Sequence, residues 1–130
     1  MKTAYAHKSQ VLVADDSTEN SELIRCLLSN WGVSSYSATS GKQVLSKVTG
    51  ENYQLVILDK MLPDMSWCQL VHDIKKLKKH IPIIRLSWGG AKHTCDQCCE
   101  FKNTMVRPQH FKEVVKEALK NPLKYDIIQI

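Results

Sequence analysis

The sequence predicts an α/β domain in which helices cover both faces of a parallel sheet. Two observations support this prediction. Short runs of β-branched and aliphatic residues indicate buried strands of a parallel sheet, and segments with apolar residues at helical spacing separate these runs. No internal repeat, low-complexity tract or linker interrupts residues 9–121. Five predicted strands therefore alternate with five predicted helices, which favours right-handed crossovers and a three-layer sandwich.

The first half of the chain supplies two strands and two helices. The first strand covers 11–14, and Asp16 is a candidate helix cap because Glu19 follows three residues later, as in a capping box. An apolar stripe indicates the helix itself, and Gly32 ends it. The stripe consists of Leu23, Ile24, Leu27, Leu28 and Trp31. The elements predicted next are a strand at 33–38 and a short helix at 40–48.

The second half is predicted to alternate in the same way. Its elements are a strand at 55–58, a helix at 67–79, a strand at 82–87, a helix near 91–101, a strand at 104–106 and a helix at 109–120. The residues expected to face the core from the first and last of these helices are Leu70, Ile74 and Leu77, and Phe111, Val114, Val115 and Leu119. The tail after Pro122 leaves three outcomes open: an added edge strand, a segment packed on the sheet, or a cut end.

Length and composition fit one domain, with 130 residues of which 43% are hydrophobic. We expect a single domain over 1–130, with its core at about 9–121 and a tail at 122–130. No apolar run approaches the roughly 20 residues of a membrane helix, and the amino-terminal residues lack the apolar core of a signal peptide. No membrane segment and a cytoplasmic location are therefore expected. The five cysteines are too clustered for a secreted disulfide framework, so we expect reduced thiols.

Acidic side chains follow two of the predicted strands directly. Asp15 and Asp16 come after the first strand, and Asp59 comes after the strand at 55–58. Open parallel sheets place their chemistry at the carboxyl ends of the strands, so neighbouring strands would bring these three acids together. Like charges at such short range are poorly tolerated without a cation. Mg²⁺ takes oxygen ligands and keeps positions open for phosphate oxygens, which makes phosphoryl chemistry the first hypothesis.

These features together resemble a response-regulator receiver domain. The resemblance covers residues 9–121 and implies the flavodoxin-like doubly wound fold with strand order 2-1-3-4-5. Its elements, in chain order, are Asp15-Asp16 after the first strand, Asp59 after the third, the loop Leu62-Pro63-Asp64-Met65, Ser87 after the fourth strand, and Arg107-Pro108 after the fifth.

The resemblance implies a role for each of these residues. Asp59 would be the phosphoacceptor, forming an acyl phosphate by Mg²⁺-dependent transfer from a phospho-histidine donor. Asp16 would bind Mg²⁺ directly and Asp15 largely through water, with the backbone carbonyl of Met61 and the Asp59 carboxylate completing the protein ligands. Ser87 would donate a hydrogen bond to a phosphoryl oxygen. Such a domain catalyses its own phosphorylation and dephosphorylation without being a conventional enzyme.

Several residues depart from the family pattern near the expected site. Arg107 stands where receivers have lysine, and its planar guanidinium is not equivalent to an ammonium. Trp88 follows Ser87 where a small residue is usual, and Met105 replaces an aromatic residue that takes part in switching. Trp67 replaces the usual glycine after the Pro63 loop. Arg85 lies within a strand expected to be interior, where a guanidinium needs compensation.

Two further groups of residues admit more than one interpretation. His93, Cys95, Cys98 and Cys99 could suggest a zinc or redox site, but structural zinc usually draws ligands from two segments, so a cysteine-rich helix is favoured. The excess of basic residues lies in the second half of the chain. The lysines at 75–79 fit a helix end, where they complement the helix dipole. Nucleic acid binding is not favoured.

The leading hypothesis is a phosphoacceptor receiver domain, either stand-alone or excised from a hybrid histidine kinase or response regulator. Its expected partner is a histidine kinase or phosphotransfer protein. An acidic partner or a homodimer could use the face formed by the fourth helix, the fifth strand and the fifth helix, where a basic stripe lies. The stripe is Lys112, Lys116, Lys120 and Lys124. The alternative is a pseudo-receiver that acts as a phosphorylation-independent interaction module, which Arg107, Trp88 and Met105 favour.

Overall fold

A five-stranded parallel sheet with helices on both faces forms the centre of the molecule. The computed structural model describes residues 10–58, 62–86, 108–124 and 126–129. Its elements are β1 (Gln10–Ala14), α1 (Thr18–Asn30), β2 (Ser34–Ala38), α2 (Gly41–Gly50), β3 (Leu55–Leu58), α3 (Trp67–Leu77), β4 (Ile83–Arg85), α4 (Pro108–Lys120), a 3₁₀ turn (Pro122–Lys124) and β5 (Ile127–Gln129). The strand order is β2-β1-β3-β4-β5, which confirms the predicted fold class and sheet order.

Alternate residues of each strand point into two separate cores, one on each side of the sheet. In β1, Leu12 and Ala14 join the core beneath α2 and α3, whereas Val11 and Val13 join the core beneath α1 and α4. Both faces are therefore apolar, as expected for a parallel sheet covered on both sides. The T-shaped contact of Trp31 with Phe111, with ring centroids 5.5 Å apart, joins α1 to α4.

Helix α1 ends as predicted but begins differently. Its cap is Ser17, whose hydroxyl accepts a hydrogen bond from the Asn20 amide at 3.3 Å, so the prediction that Asp16 caps the helix was wrong. At the other end, Gly32 has φ +78°. The Val33 amide donates to the Leu28 carbonyl at 2.9 Å, which completes a Schellman motif and confirms the role given to Gly32.

Two leucines expected in the core are exposed. Leu23 on α1 is 67% exposed and Leu77 at the end of α3 is 45% exposed. The inward position on α1 is instead held by Ser21, whose hydroxyl donates to the Thr18 carbonyl at 3.0 Å and so satisfies its polar group locally. The apolar stripe on α1 is therefore narrower than its sequence suggests, because Leu23 lies about 100° around the helix from Ile24.

The tail forms the edge strand beside β4. Ile127 pairs with Ile83 and Gln129 with Arg85 in parallel register, so the first of the three outcomes considered for the tail is confirmed. The predicted strand at 104–106 and the predicted helix near 91–101 lie outside the described residues. In the described part of the chain, the strand that pairs with β4 on this side is Ile127–Gln129.

Polar contacts of Lys75 link this edge strand to α3. Its ammonium ion-pairs with the Asp126 carboxylate, and it donates hydrogen bonds to the carbonyls of Ile81 and Asp126. Lys75 does lie in the last turn of α3, as predicted, but it also has acceptors in the turn before β4 and at the start of β5.

The cysteines also differ from expectation at one position. Cys68 on α3 is disulfide-bonded, which contradicts the prediction of reduced thiols, because clustering in the sequence does not determine which sulfur atoms come within bonding distance. Cys26 on α1 is free and exposed. Cys95, Cys98 and Cys99 lie outside the described residues, as does His93. Of the helices that the structure describes, none is long and apolar enough to cross a bilayer.

Candidate functional site

The carboxyl ends of the three central strands meet at one edge of the sheet. Ala14 of β1 is the register partner of Leu58 of β3, which in turn pairs with Arg85 of β4. Asp15 follows Ala14, and Asp59 follows Leu58 in the sequence. The strands that precede the predicted acids are therefore neighbours, as the family resemblance implied. Of the predicted site residues, the structure describes Asp15 and Asp16, whereas Asp59, Met61, Ser87 and Arg107 lie outside the described residues, as do Trp88 and Met105.

Asp15 is a fully buried carboxylate at this edge. Its amide donates to the Ala38 carbonyl at 3.1 Å, which continues the pairing of β1 with β2, and its Oδ1 accepts from the Ser17 amide at 2.8 Å. A buried carboxylate is costly without opposite charge or hydrogen bonds. The carboxylate also offers oxygen donors of the kind that a hard divalent cation takes.

Asp16 is exposed beside Asp15. Because Ser17 rather than Asp16 caps α1, helix capping does not account for this second acid. A buried and an exposed carboxylate in sequence at a strand end offer the oxygen donors that a hard divalent cation takes. Within the described ranges, no three His, Cys, Asp or Glu side chains are grouped closely enough to hold a metal ion.

Asp64 and Met65, just before α3, contact the start of α2. The Asp64 carboxylate accepts hydrogen bonds from the Gly41 amide at 2.8 Å and the Lys42 amide at 3.0 Å, and these bonds lower the pKa of Asp64. The Met65 side chain occupies the space that a Cβ at position 41 would need. Sequence reasoning missed this contact, because nothing in the sequence relates Asp64 to a helix start more than 20 residues earlier.

Gly41→Ala is expected to destabilise the domain, since a Cβ at position 41 would overlap the Met65 side chain. Repacking of this kind costs about 1–3 kcal/mol, which a gain of up to about 1 kcal/mol in helix propensity offsets only in part. The measurement is the midpoint of denaturant unfolding at constant m-value.

Gly50→Ala in the same helix is the matched control, because no atom lies within 4 Å of a Cβ built there. It should leave stability unchanged or raise it slightly. Adding Met65→Ala to Gly41→Ala should recover part of the loss. If Gly41→Ala and Gly50→Ala have equal effects, the close packing of Met65 on Gly41 does not contribute to stability.

Trp67 and Arg85 are in contact at the same edge of the sheet. Trp67 is the first residue of α3 after the cap Ser66, and only 2% of it is exposed. The guanidinium carbon of Arg85 lies 4.6 Å from the centroid of the Trp67 ring, within the range of a cation–π interaction. Both residues depart from the family pattern, but nothing in the sequence indicates that they contact each other.

Comparison with known proteins places these features in one family. The family model described as the response regulator receiver domain matches residues 11–120. The transcriptional regulatory protein ZraR of Klebsiella oxytoca is 30% identical over 120 residues, which are 92% of this chain and 24% of that protein. The chain spans 35% or less of the length of the first curated relatives that it matches.

Solved structures show the same fold. The receiver domain of a sensor histidine kinase from Pseudomonas aeruginosa PAO1, solved with a magnesium ion in its active-site cleft, has a TM-score of 0.74 at 16% identity and covers 86% of this chain and 98% of that chain. The response regulator TrrA of Thermotoga maritima was solved in complex with the histidine kinase ThkA. That structure has a TM-score of 0.72 at 29% identity and covers 84% of this chain and 97% of the matched chain.

Proposed function

Because the chain belongs to the response regulator receiver domain family, we propose that it accepts a phosphoryl group on Asp59 in a two-component phosphorelay. The observation that supports this most directly is the pair of carboxylates at the end of β1, one buried and one exposed, beside the strand that precedes Asp59. Because Ser17 caps α1, helix capping does not account for the exposed Asp16. The single domain and the cytoplasmic location expected from the sequence belong to the same proposal.

In the proposed reaction, the Asp59 carboxylate attacks the phosphorus of a phospho-histidine. The new bond joins a carboxylate oxygen to phosphorus, and the phosphorus–nitrogen bond to the histidine breaks, so the imidazole leaves with its electron pair. Ser87 donates a hydrogen bond to a phosphoryl oxygen. Arg107 pairs with the transferred group, and its planar guanidinium favours bidentate contact with two oxygens. Positioning and charge stabilisation supply most of the rate.

The residues that would hold Mg²⁺ are the acids at this edge. Asp16 would bind it directly and Asp15 largely through water, with the Asp59 carboxylate and the Met61 carbonyl as further donors. The buried Asp15 carboxylate fits this role, because burial of negative charge is compensated by a bound cation. Bound Mg²⁺ supplies charge neutralisation at the phosphoryl oxygens.

The proposed donor is a histidine kinase or a phosphotransfer protein. The relative TrrA supports this, because it was solved in complex with the histidine kinase ThkA. A second contact, with an acidic protein or a second copy of this chain, is proposed for the predicted face that includes the helix at 109–120. On the described part of that face, Lys116 and Lys120 of α4 are exposed, which suits an acidic surface.

Intact mass after incubation with Mg²⁺ and acetyl phosphate tests this function. The parent protein should gain one phosphoryl group, whereas Asp59→Ala should gain none and a chelator should prevent the gain in the parent. Asp73→Ala, which removes a half-exposed acid from α3, is the control and should behave as the parent does. A parent that gains no mass from acetyl phosphate or from a phospho-histidine protein would favour the pseudo-receiver, an interaction module without phosphorylation.

A further inference from the structure

One end of the domain is rich in lysine. Helix α3 ends ahead of β4 and α4 ends ahead of β5, so both helix ends lie where these two parallel strands begin. Residues 75–80 and 120–124, which we call the basic end, contain six lysines and no Asp or Glu. The two segments lie side by side, because together they line one groove. Its lining residues are Lys75, Lys79, His80, Pro122, Leu123 and Asp126.

The positive charge of the basic end reaches the surface on both segments. Its exposed lysines are Lys76, Lys79, Lys120 and Lys124. The flanking acids Asp73, Glu117 and Asp126 each have a hydrogen-bond or ion-pair partner of their own. A positive potential therefore extends from this end of the domain into solvent, where it attracts an anionic surface.

Two exposed leucines accompany these lysines. Leu123 lies in the 3₁₀ turn directly before Lys124 and is 77% exposed, and Leu77 at the end of α3 is 45% exposed. A single exposed leucine needs no explanation. Leucine among lysines, however, is typical of segments that bind at a bilayer surface. The lysines are attracted to anionic headgroups, while the apolar side chain enters the interface.

The composition of the basic end fits a lipid surface better than other anionic partners. Sites for single-stranded nucleic acid use aromatic side chains on which bases stack, together with Arg. The basic end contains no Arg, Phe, Tyr or Trp. The centres of protein interfaces are also enriched in aromatic residues and Arg, and they are depleted in Lys.

We propose that the basic end binds the surface of a bilayer that contains anionic lipids, with Leu123 entering the headgroup region. The protein then lies on the bilayer without crossing it. Asp15 and Asp16 follow the opposite end of β1, so the acids face away from the lipid in this arrangement. The inference does not depend on the phosphoacceptor function proposed above.

Sedimentation of the full chain with vesicles tests this inference. The parent should bind vesicles of equal parts phosphatidylserine and phosphatidylcholine, and should bind pure phosphatidylcholine about tenfold more weakly. Added salt should weaken the binding to the anionic vesicles. Lys79→Gln should weaken it by about fivefold, the contribution of one lysine near the surface. Leu123→Ala should also weaken it by about fivefold, because less apolar surface enters the interface.

Each of these variants has a matched control elsewhere in the domain. Lys42→Gln removes an exposed lysine at the start of α2, at the opposite end of the sheet. Leu23→Ala truncates a leucine that is 67% exposed on α1. Both controls should bind as the parent does, because they repeat the change in charge or apolar surface and leave the basic end intact.

Soluble polyglutamate separates a lipid surface from an acidic polypeptide. If polyglutamate binds the parent more tightly than the vesicles do at equal charge concentration, the basic end binds acidic protein and the inference is wrong. Absence of vesicle binding, equal binding to both kinds of vesicle, or equal effects of the variants and their controls would contradict it too. Selective binding to the anionic vesicles that depends on Lys79 and Leu123 supports it.

Discussion

Asp15→Asn should weaken Mg²⁺ binding by about 10–100-fold, the usual loss when a group that supports a metal through its outer shell is removed. The carboxylate is fully buried at the end of β1, and its Oδ1 already accepts the Ser17 amide at 2.8 Å. The amide oxygen of asparagine can keep that hydrogen bond, so the local turn should survive. The substitution therefore removes the negative charge with little change in shape.

The measurement is Mg²⁺ binding by calorimetry, together with the rise in unfolding free energy that Mg²⁺ causes. At a concentration 100 times the parent Kd the parent should gain about 2.7 kcal/mol, and a tenfold weaker variant at the same concentration should gain only about 1.4 kcal/mol. Asp73→Asn, on α3, should match the parent. An unchanged Mg²⁺ affinity in Asp15→Asn would show that this buried acid is not part of the metal site.

Phe111→Ala should destabilise the domain by about 3–5 kcal/mol, the range for loss of a buried aromatic side chain. Phe111 is the largest fully buried side chain described and packs edge-on against Trp31. It joins α4 to α1 across one face of the sheet, so its loss leaves a cavity between two helices. Such a loss is a large part of the total stability of a small domain.

Denaturant unfolding at constant m-value measures this effect. Leu123→Ala is the control, because that leucine is 77% exposed and its truncation should change stability by less than about 0.5 kcal/mol. If the two variants were equally stable, the core beneath α1 and α4 would not be packed as described.

The central strands could be predicted from the sequence because their burial is uniform. In β1 and β3 every residue after Gln10 is buried, so the apolar runs mark the strands directly, and their order follows from the family resemblance. The places of Asp15 and Asp16 at the end of β1 could be predicted in the same way, since both residues follow such a run. The cap of α1 could not, because Asp16 and Ser17 are adjacent and both are good caps.

The remaining errors concern contacts between residues far apart in the chain. Nothing local distinguishes Leu23 from the buried Ile24, because the width of the apolar face depends on which elements cover α1. The contact of Arg85 with Trp67 joins a strand end to a helix start and has no signature in either segment. The sequence left the place of the tail open, because pairing of Ile127–Gln129 with β4 depends on contacts with a distant strand that no pattern within the tail specifies.

That edge strand has a consequence for local opening of the domain. The Ile83 amide donates to the Asp126 carbonyl at 3.0 Å, on the side of the tail, whereas the Leu86 amide donates to the Leu58 carbonyl at 2.9 Å, on the side of the sheet centre. Detachment of the tail therefore exposes the Ile83 amide to solvent deuterium while the Leu86 amide keeps its partner. Amide exchange at Ile83 thus reports undocking of residues 126–129 as an event separate from global unfolding.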